Sequence, residues 1–546
     1  MLGYQGFVRA GPLGWASLAA ALLVVMPIAA VLASALSTGA DTWMHLARTG
    51  LGGYIANTAL LMAGVAYGVV SMGVLSAWLV TAYRFPGQRL LEWALVLPLA
   101  MPAYVMAYAY TDWLQFTGPV QSALRSITGW QAREYWFPEV RSLWGAAAML
   151  SFALYPYVYL IARTAFRDVS RSALEAGRLS GQSAWQCFWR VAVPLARPAI
   201  AAGTALALME TLADFGTVSY FGVEVLTTAI YKAWLSMNDI AAAGQLSACV
   251  LAFVVVVVAI ERSNRGRAAY YSATRRPTPP HRLEGWKAWL ALLTCAAPVA
   301  FGFLLPAAIL GHFVLADPDA RWTSRLTSLV GNSVAIAGVA ALAGMLLATV
   351  MAYAGRVSRS PVVRYANRVA SLGYAVPGAV IAVGILVPLG RMDNWIAGAL
   401  ESAFDVRVGL LLTGTVAALV YAYLARFLAV ALQTMEAGLA KITPVMDDAA
   451  RSLGASPART LARVHAPLLA SSVATAGLLL FVDVMKELPA TFALRPFNFD
   501  TLAVETYNLA KDERLAEAAM PSLLIVAVAL LPLVFVSRRY FQATRS

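Results

Sequence analysis

Residues 175–194 read EAGRLSGQSAWQCFWRVAVP, and residues 448–467 read DAARSLGASPARTLARVHAP. In both stretches a carboxylate comes first, a glycine follows six residues later, an apolar residue thirteen residues later and a proline nineteen residues later. The two copies begin 448 − 175 = 273 residues apart, which is half of the 546 residues of the chain. The chain is therefore a tandem duplication, with one copy of the same unit in each half.

The composition indicates the solvent of most of this chain. Apolar residues make up 60% of the sequence, charged residues 13%, and the mean hydropathy is +0.68. A soluble protein is about 45–50% apolar and about 25% charged, so we expect an all-α integral membrane protein. The net charge of +13 resides in short basic clusters between apolar runs, a pattern that sets membrane orientation and does not predict a nucleic-acid partner.

Twelve apolar runs are long enough to cross a hydrocarbon core of about 30 Å. Those of the first half are 13–36, 56–80, 90–111, 142–163, 197–215 and 244–260. Those of the second half are 288–314, 330–354, 368–390, 408–432, 468–485 and 518–537. The run at 13–36 is longer than the apolar part of a signal peptide, so we expect it to be a retained span.

The basic clusters fall in the even-numbered loops and at the C-terminus. The positive-inside rule then predicts that both termini and both repeated stretches are cytoplasmic, and that the two six-helix repeats are parallel. We divide the sequence into a first half, a proline-rich cytoplasmic linker and a second half. These are residues 1–260 (core about 53–260, repeated loop 164–196), 261–287, and 288–546 (core about 328–537, repeated loop 433–467).

Each repeated stretch predicts a helix, a glycine turn and a second helix, with Gly181 and Gly454 at the turns. An amphipathic helix across the end of a helix bundle must bury its apolar face against something. Docking in a groove of a partner protein and lying among lipid headgroups explain the spacing equally well.

The repeated pattern also resembles a known family. Carboxylate-Ala-Ala/Gly-x3-Gly-x6-apolar-x5-Pro between the fourth and fifth spans is similar to the cytoplasmic loop of binding-protein-dependent ABC importer permeases. In that family the loop inserts into a groove on the ATP-hydrolysing subunit, so the resemblance implies a type I importer permease fold and a set of coupling residues. These residues are Glu175, Ala176, Gly177, Gly181, Asp448, Ala449, Ala450 and Gly454. Gly177 and Asp448 depart from the usual Ala and Glu but keep the size or the charge.

The partners follow from the same resemblance. The sequence contains no GxxxxGK[ST] phosphate loop, so we predict no catalytic residues and no cofactor bound by this chain. The resemblance implies two cytoplasmic ATPase subunits that use ATP, a periplasmic binding protein, and the bacterial inner membrane as the location. A secondary transporter driven by an ion gradient is the alternative class, but it leaves the two repeated loops without a role.

A second pair of features lies at the ends of the fifth and eleventh spans. Glu210 and Asp214 are four residues apart, as are Asp483 and Glu487, so each pair shares one helix face. Acids at membrane depth usually face a bundle interior or a water-filled path. They predict either a path for a cationic cargo or a structural pairing, for which Lys486 is available next to both Asp483 and Glu487.

The segments around these acids, LADFGTVSYFG (212–222) and KELPATFALRPFNFDTLA (486–503), resemble those of fused, twelve-span ferric-iron importer permeases. Ferric ion prefers oxygen ligands, although thiamine, polyamine and phosphonate permeases share parts of the resemblance. Cys187, Cys249 and Cys295 are isolated, so we predict no firm metal site. We expect Tyr104, Tyr108, Tyr110, Trp113 and Tyr220 to form an interfacial aromatic belt.

Overall fold

The computed structural model of the protein describes residues 11–35, 40–131, 134–168, 177, 179–265, 281–358 and 360–543. In this part the chain is helical apart from short turns and one pair of two-residue strands, which confirms the all-α class. The first half and linker hold α1 (Gly11–Ala35), α2 (Ala40–Thr49), α3 (Leu51–Ala82), β1 (Tyr83–Arg84), α4 (Gln88–Ala94), α5 (Ala103–Leu114), α6 (Pro119–Thr128), α7 (Leu143–Asp168), α8 (Ala184–Cys187), α9 (Val193–Ala213), α10 (Gly216–Tyr220), α11 (Leu226–Tyr231), α12 (Ile240–Arg265) and β2 (His281–Arg282).

The second half continues with α13 (Trp286–Val299), α14 (Leu305–Ala316), α15 (Ser324–Val357), α16 (Pro361–Ala370), α17 (Gly378–Phe404), α18 (Val416–Leu439), α19 (Pro444–Ser452), α20 (Pro457–Thr460), α21 (Ala466–Met485), α22 (Pro489–Leu494), α23 (Leu502–Lys511) and α24 (Leu515–Ala543). Wide π-helical turns join α8 to α9 (Phe188–Ala192), follow α11 (Lys232–Ser236), join α13 to α14 (Ala300–Leu304) and join α20 to α21 (Leu461–His465). Single 3₁₀ turns lie at Leu97–Ala100, Pro318–Ala320 and Gly373–Ala375.

Among the described residues, eleven helical stretches are long and apolar enough to cross a membrane. A twelfth crossing is a bent pair, Gln88–Ala100 and Ala103–Thr128, whose parts meet at 92°. The prediction of twelve spans is thus confirmed, with the difference that the third span is broken. Pro102 causes the break, because the residue before a proline avoids helical backbone, and Pro377 holds the same extended backbone before α17.

The helices form two compact units that do not follow the duplication. The second-half unit draws its residues from 1–45, 230–249 and 322–505. The first-half unit draws its residues from 46–229, 250–321 and 506–546. Helix α1 therefore packs with the repeats of the second half, whereas α13 and α14 pack with those of the first half. The sequence boundaries at residues 260 and 288 remain a prediction about the duplication itself.

In the second-half unit, α1 lies directly against α17. A Cβ atom on Gly384 would come within 2.3 Å of the Pro27 carbonyl oxygen, so only glycine permits this approach. Further along α1, the buried Ser17 hydroxyl donates to Asn367 Oδ1 on α16 at 2.6 Å. Close backbone contact through a small residue is the usual way in which membrane helices pack.

In the first-half unit, α13 and α14 stand where α1 stands in the other unit. The Tyr110 hydroxyl on α5 donates to the Phe301 carbonyl at 2.5 Å, and strands β1 and β2 pair in parallel with Tyr83 opposite His281. Both contacts attach the segment that begins the second half of the sequence to the first repeat.

The same hydrogen bonds recur inside each unit. The Asn57 side chain donates to the Glu224 carbonyl at 2.9 Å, and the Asn332 side chain donates to the Asp500 carbonyl at 3.1 Å. The next residues, Thr58 and Ser333, accept from backbone N–H groups at 3.0 and 2.8 Å. The duplication seen in the sequence is therefore present in the packing.

Replacing Gly384 with Ala tests the packing of α1. Because the new methyl group would overlap the Pro27 carbonyl, we expect a loss of about 1–3 kcal/mol of stability, typical of overpacking. Gly390 is the control, since it lies on the same helix with open space around its Cα, and Gly390→Ala should stabilise the helix by about 1 kcal/mol. Thermal unfolding in detergent measures both variants, and equal midpoints would contradict the contact.

Candidate functional site

The second repeated loop folds as the sequence predicts. Helix α19 ends at Gly454, whose φ of +75° lies in the left-handed region. The Gly454 N–H donates to the Arg451 carbonyl at 2.9 Å, and the Ala455 N–H donates to the Ala450 carbonyl at 3.0 Å. This pair of bonds is a Schellman cap, which needs a residue without a Cβ at its left-handed position.

The first repeated loop has the same turn. Gly181 has a φ of +77°, and the Gln182 N–H donates to the Gly177 carbonyl at 3.1 Å, the bond that Ala455 and Ala450 form in the second copy. A Cβ on Gly177 would lie 3.2 Å from Cys187 Sγ, which explains glycine here in place of Ala450. Glu175 and Ala176 lie outside the described residues.

The second helix of each loop also begins in the same way. Ser183 caps α8 in a reciprocal capping box with Gln186, and the Ser456 hydroxyl accepts from the Arg459 N–H at 3.3 Å. Each helix then continues through its π-helical turn into the next span. The resulting stretches, Ala184–Ala213 and Leu461–Met485, are unbroken helices, so a displacement of either loop is carried directly into a span.

A polar cluster fastens the second loop to its unit. Asp447 Oδ1 lies 2.6 Å from His465 Nε2, and Asp447 Oδ2 accepts from the Arg356 guanidinium at 2.8–2.9 Å. The same guanidinium donates to the carbonyls of Leu439 and Ile442. Sequence reasoning gave His465 no partner, and its only signal was an acid next to Asp448 that the family pattern does not use.

Aromatic rings fasten the first loop. The Phe188 side chain is fully buried, and its ring centroid lies 5.2 Å from that of Trp78 and 4.9 Å from that of Trp189. The two loops therefore share their backbone geometry but not their anchors, which supports unequal mechanical properties.

The outward faces of the loops carry apolar and acidic groups. Leu179 is 89% exposed and Leu453 87% exposed. Asp448 is also exposed and pairs only with the exposed Arg451 of its own helix, while Ala449 is exposed and Ala450 is buried. The second loop thus presents Asp448 and Ala449 outward and uses Ala450 to pack against its own unit.

The acids at the ends of the fifth and eleventh spans cap short helices. Asp214 accepts from the N–H groups of Thr217 and Val218, both at 3.1 Å, and from the Thr217 hydroxyl at 2.9 Å. Glu487 accepts from the N–H groups of Ala490 and Thr491, both at 2.9 Å. These equivalent carboxylates satisfy the first backbone donors of α10 and α22.

Glu487 has a further partner that the sequence did not reveal. Arg426 on α18 donates to Glu487 Oε1 at 2.9 Å, and both side chains are buried. The Tyr423 and Thr491 hydroxyls lie 2.8 Å or less apart beside this pair, at 2.7 Å. A buried ion pair of this kind fixes an arrangement because either charge alone would be costly.

The other two acids are half-buried. Asp483 accepts from Lys486 at 2.9 Å, which is one of the two structural pairings that the sequence left open. Glu210 lies on α9, one turn before Asp214. In the residues that the structure describes, no cluster of three or more His, Cys, Asp or Glu side chains is arranged to hold a metal ion.

The expectation of an interfacial aromatic belt is wrong for three of the tyrosines. Tyr104, Tyr108 and Tyr110 are at most 5% exposed and point into the first-half unit. The Tyr108 ring packs edge-on against Tyr220 with centroids 4.6 Å apart. Their apolar ring area stabilises the interior of the bundle, which the position of these residues in the sequence did not distinguish from a membrane interface.

Comparison with known proteins identifies the family. Residues 68–265 match the model of the binding-protein-dependent transport system inner membrane component. The Fe(3+)-transport system permease protein FbpB 2 of Haemophilus influenzae is 27% identical over 498 residues, which are 89% of each chain. The putative molybdenum transport system permease protein YvgM of Bacillus subtilis is 31% identical over 180 residues, which are 31% of this chain and 75% of the relative. The sulfate permease CysT of Escherichia coli is 27% identical over 44% of this chain and 86% of its own length.

The match to one short permease covers a single half of this chain, whereas the match to the ferric permease covers both halves. Together with the helix-glycine-helix loops and the multi-pass helical fold, this shows a fused, two-domain permease. The chain belongs to the family of inner membrane components of binding-protein-dependent transport systems, the permeases of ABC importers.

Proposed function

We propose that each repeated loop of this permease docks on one ATPase subunit, so that the complex holds two. The observation that carries the proposal is the recurrence of one capped turn, one exposed leucine and one unbroken helix into a span in both halves. A helix with an exposed apolar face fits a groove of a partner protein. In this orientation both loops and both termini are cytoplasmic.

The cargo of the proposed importer is ferric ion delivered by a periplasmic binding protein. This proposal is supported by the ferric relative that matches 89% of the chain, while the listed sulfate and molybdenum relatives match less than half of it. Thiamine, polyamine and phosphonate importers of the same class are the alternatives. The hard Fe³⁺ ion suits a path whose polar groups are oxygen atoms.

We assign different roles to the two equivalent carboxylates. Glu487 is neutralised by Arg426 and is a positioning residue for α22. Asp214 accepts only from neutral groups among the described residues, so it keeps an uncompensated charge when ionised. Asp214 is therefore the proposed path residue, and Glu210 and Asp483 lie one turn before the two caps.

The docking proposal predicts the effect of charge reversal. The double substitution Glu175→Arg and Asp448→Arg should reduce copurification of the ATPase at least about tenfold, since loss of two charged contacts of more than 1.4 kcal/mol in total changes an equilibrium by this factor. Asp512→Arg is the matched control, because Asp512 is exposed but lies in a loop predicted to face the opposite side. Unchanged copurification of the double variant would disprove the docking of these loops.

Replacing Asp214 with Asn tests the path. Asparagine keeps an oxygen acceptor for the N–H groups of α10 but removes the charge, so the complex should assemble in normal yield. Uptake of ⁵⁵Fe³⁺ into cells should fall at least about tenfold if the carboxylate lowers the barrier by 1.4 kcal/mol or more. Normal uptake at normal yield would show that Asp214 serves only as a cap.

The Arg426–Glu487 pair predicts a compensating double variant. Glu487→Gln alone leaves a buried guanidinium without a counter-charge, which costs about 3–5 kcal/mol, so the yield of folded protein should fall. Adding Arg426→Met removes that charge and should restore both yield and uptake. Restored yield without uptake would contradict the positioning role and indicate that the Glu487 carboxylate contacts the cargo.

A further inference from the structure

A polar cavity of about 550 Å³ lies in the second-half unit, where three of its helices end. Its walls are the last turn of α15, one face of α16 and the last two turns of α18. Three arginines line it: Arg356, Arg364 and Arg368. The cavity therefore collects cationic groups at a level where membrane-spanning helices give way to the aqueous phase.

Two of these arginines have no partner of their own. Arg364 and Arg368 are four residues apart on α16, so their side chains share one face, and both are exposed. No hydrogen bond or ion pair joins either guanidinium to another of the residues that the structure describes. Like charges at this spacing repel each other, and a bound anion would remove the repulsion.

The other charged groups of the cavity do not neutralise them. Arg356 is engaged by Asp447 and by two backbone carbonyls. Glu436 is the one carboxylate among the lining residues that the structure describes, and it accepts from the Asn367 side-chain amide at 3.4 Å. With Arg356 paired to Asp447, two guanidiniums face one carboxylate, and the cavity keeps a positive charge.

The first-half unit solves the same problem internally. There Glu92 on α4 pairs with Arg163 and Arg167 on α7. Position 92 corresponds to Asn367 at the 275-residue offset that also relates Pro102 to Pro377, and Arg163 corresponds to Glu436 at the 273-residue offset of the loops. The second-half unit therefore has an amide where its counterpart has the acid that neutralises arginines.

We propose that this cavity binds a phosphate group, supplied by an anionic lipid headgroup or by a soluble phosphate compound. Arginine forks hold phosphate oxygens through paired N–H donors. The side chains of Asn367, Ser371 and Gln433 add neutral hydrogen-bonding groups to the walls. Basic pockets between helix ends bind acidic headgroups in this way.

The location gives the site a connection to the repeated loop. Arg356 lines the cavity and at the same time holds Asp447 of α19. A phosphate in the cavity lies next to the guanidinium that anchors this loop, so its binding acts on the attachment of the loop and not on the ion path.

The test uses the purified full-length permease and two probes. Native mass spectrometry counts phosphatidylglycerol molecules retained after delipidation and readdition, with phosphatidylcholine as the neutral comparison. Equilibrium dialysis with ³²P-labelled inorganic phosphate measures the soluble source. We expect R364Q/R368Q to lower the affinity for the bound probe at least about tenfold, because two charge-assisted contacts are lost.

Two matched variants complete the design. R84Q/R89Q removes the same charge from the first-half unit near α4 and should leave binding unchanged. R364K/R368K keeps the charge without the planar forks and should bind with intermediate affinity. The exposed, unpaired positions of Arg364 and Arg368 make misfolding of these variants a minor concern, and the elution volume on size exclusion checks it.

Each outcome decides the proposal. Retention of phosphatidylglycerol that is lost in R364Q/R368Q assigns the site to a lipid, and binding of inorganic phosphate that is lost in the same variant assigns it to a soluble anion. Equal binding of both probes by the parent and R364Q/R368Q, or an equal loss in R84Q/R89Q, overturns it.

Discussion

Inside a bilayer every backbone N–H and C=O group needs a partner from the protein itself. This fold breaks its helices at membrane depth after residues 213 and 485, and each break exposes the first donors of a new helix. Asp214 and Glu487 supply the missing acceptors at equivalent positions. The duplicated caps let short helices stand at the ends of long spans, and the arrangement of each unit depends on them.

Much of this architecture is written in local patterns. The duplication, the twelve apolar runs and the glycine turns each depend on residues that are close in sequence, and the helix-glycine-helix loops at Gly181 and Gly454 have the expected geometry. The partners of Glu487 and Asp447 are different, because Arg426 and Arg356 lie 61 and 91 residues away in the chain. Spacing along one helix carries no information about such pairs.

The exchange of α1 and α13–α14 between the two units could not be inferred from composition. An apolar span presents the same hydropathy whichever bundle it joins, and the deciding contacts are single small residues such as Gly384 against Pro27. The buried tyrosines were misplaced for a related reason. An aromatic ring near a helix end satisfies both an interface and a core, and only the packing of Tyr108 against Tyr220 separates the two cases.

The wide turns at Phe188–Ala192 and Leu461–His465 have a consequence for how force enters the membrane. A π turn holds one residue more than an α turn and has weaker axial order. Each lever is therefore joined to its span by a compliant hinge that bends before the rod above it does. Because one hinge is braced by indole rings and the other by an aspartate, a histidine and a guanidinium, the same stroke of the motor is converted into two unequal rotations.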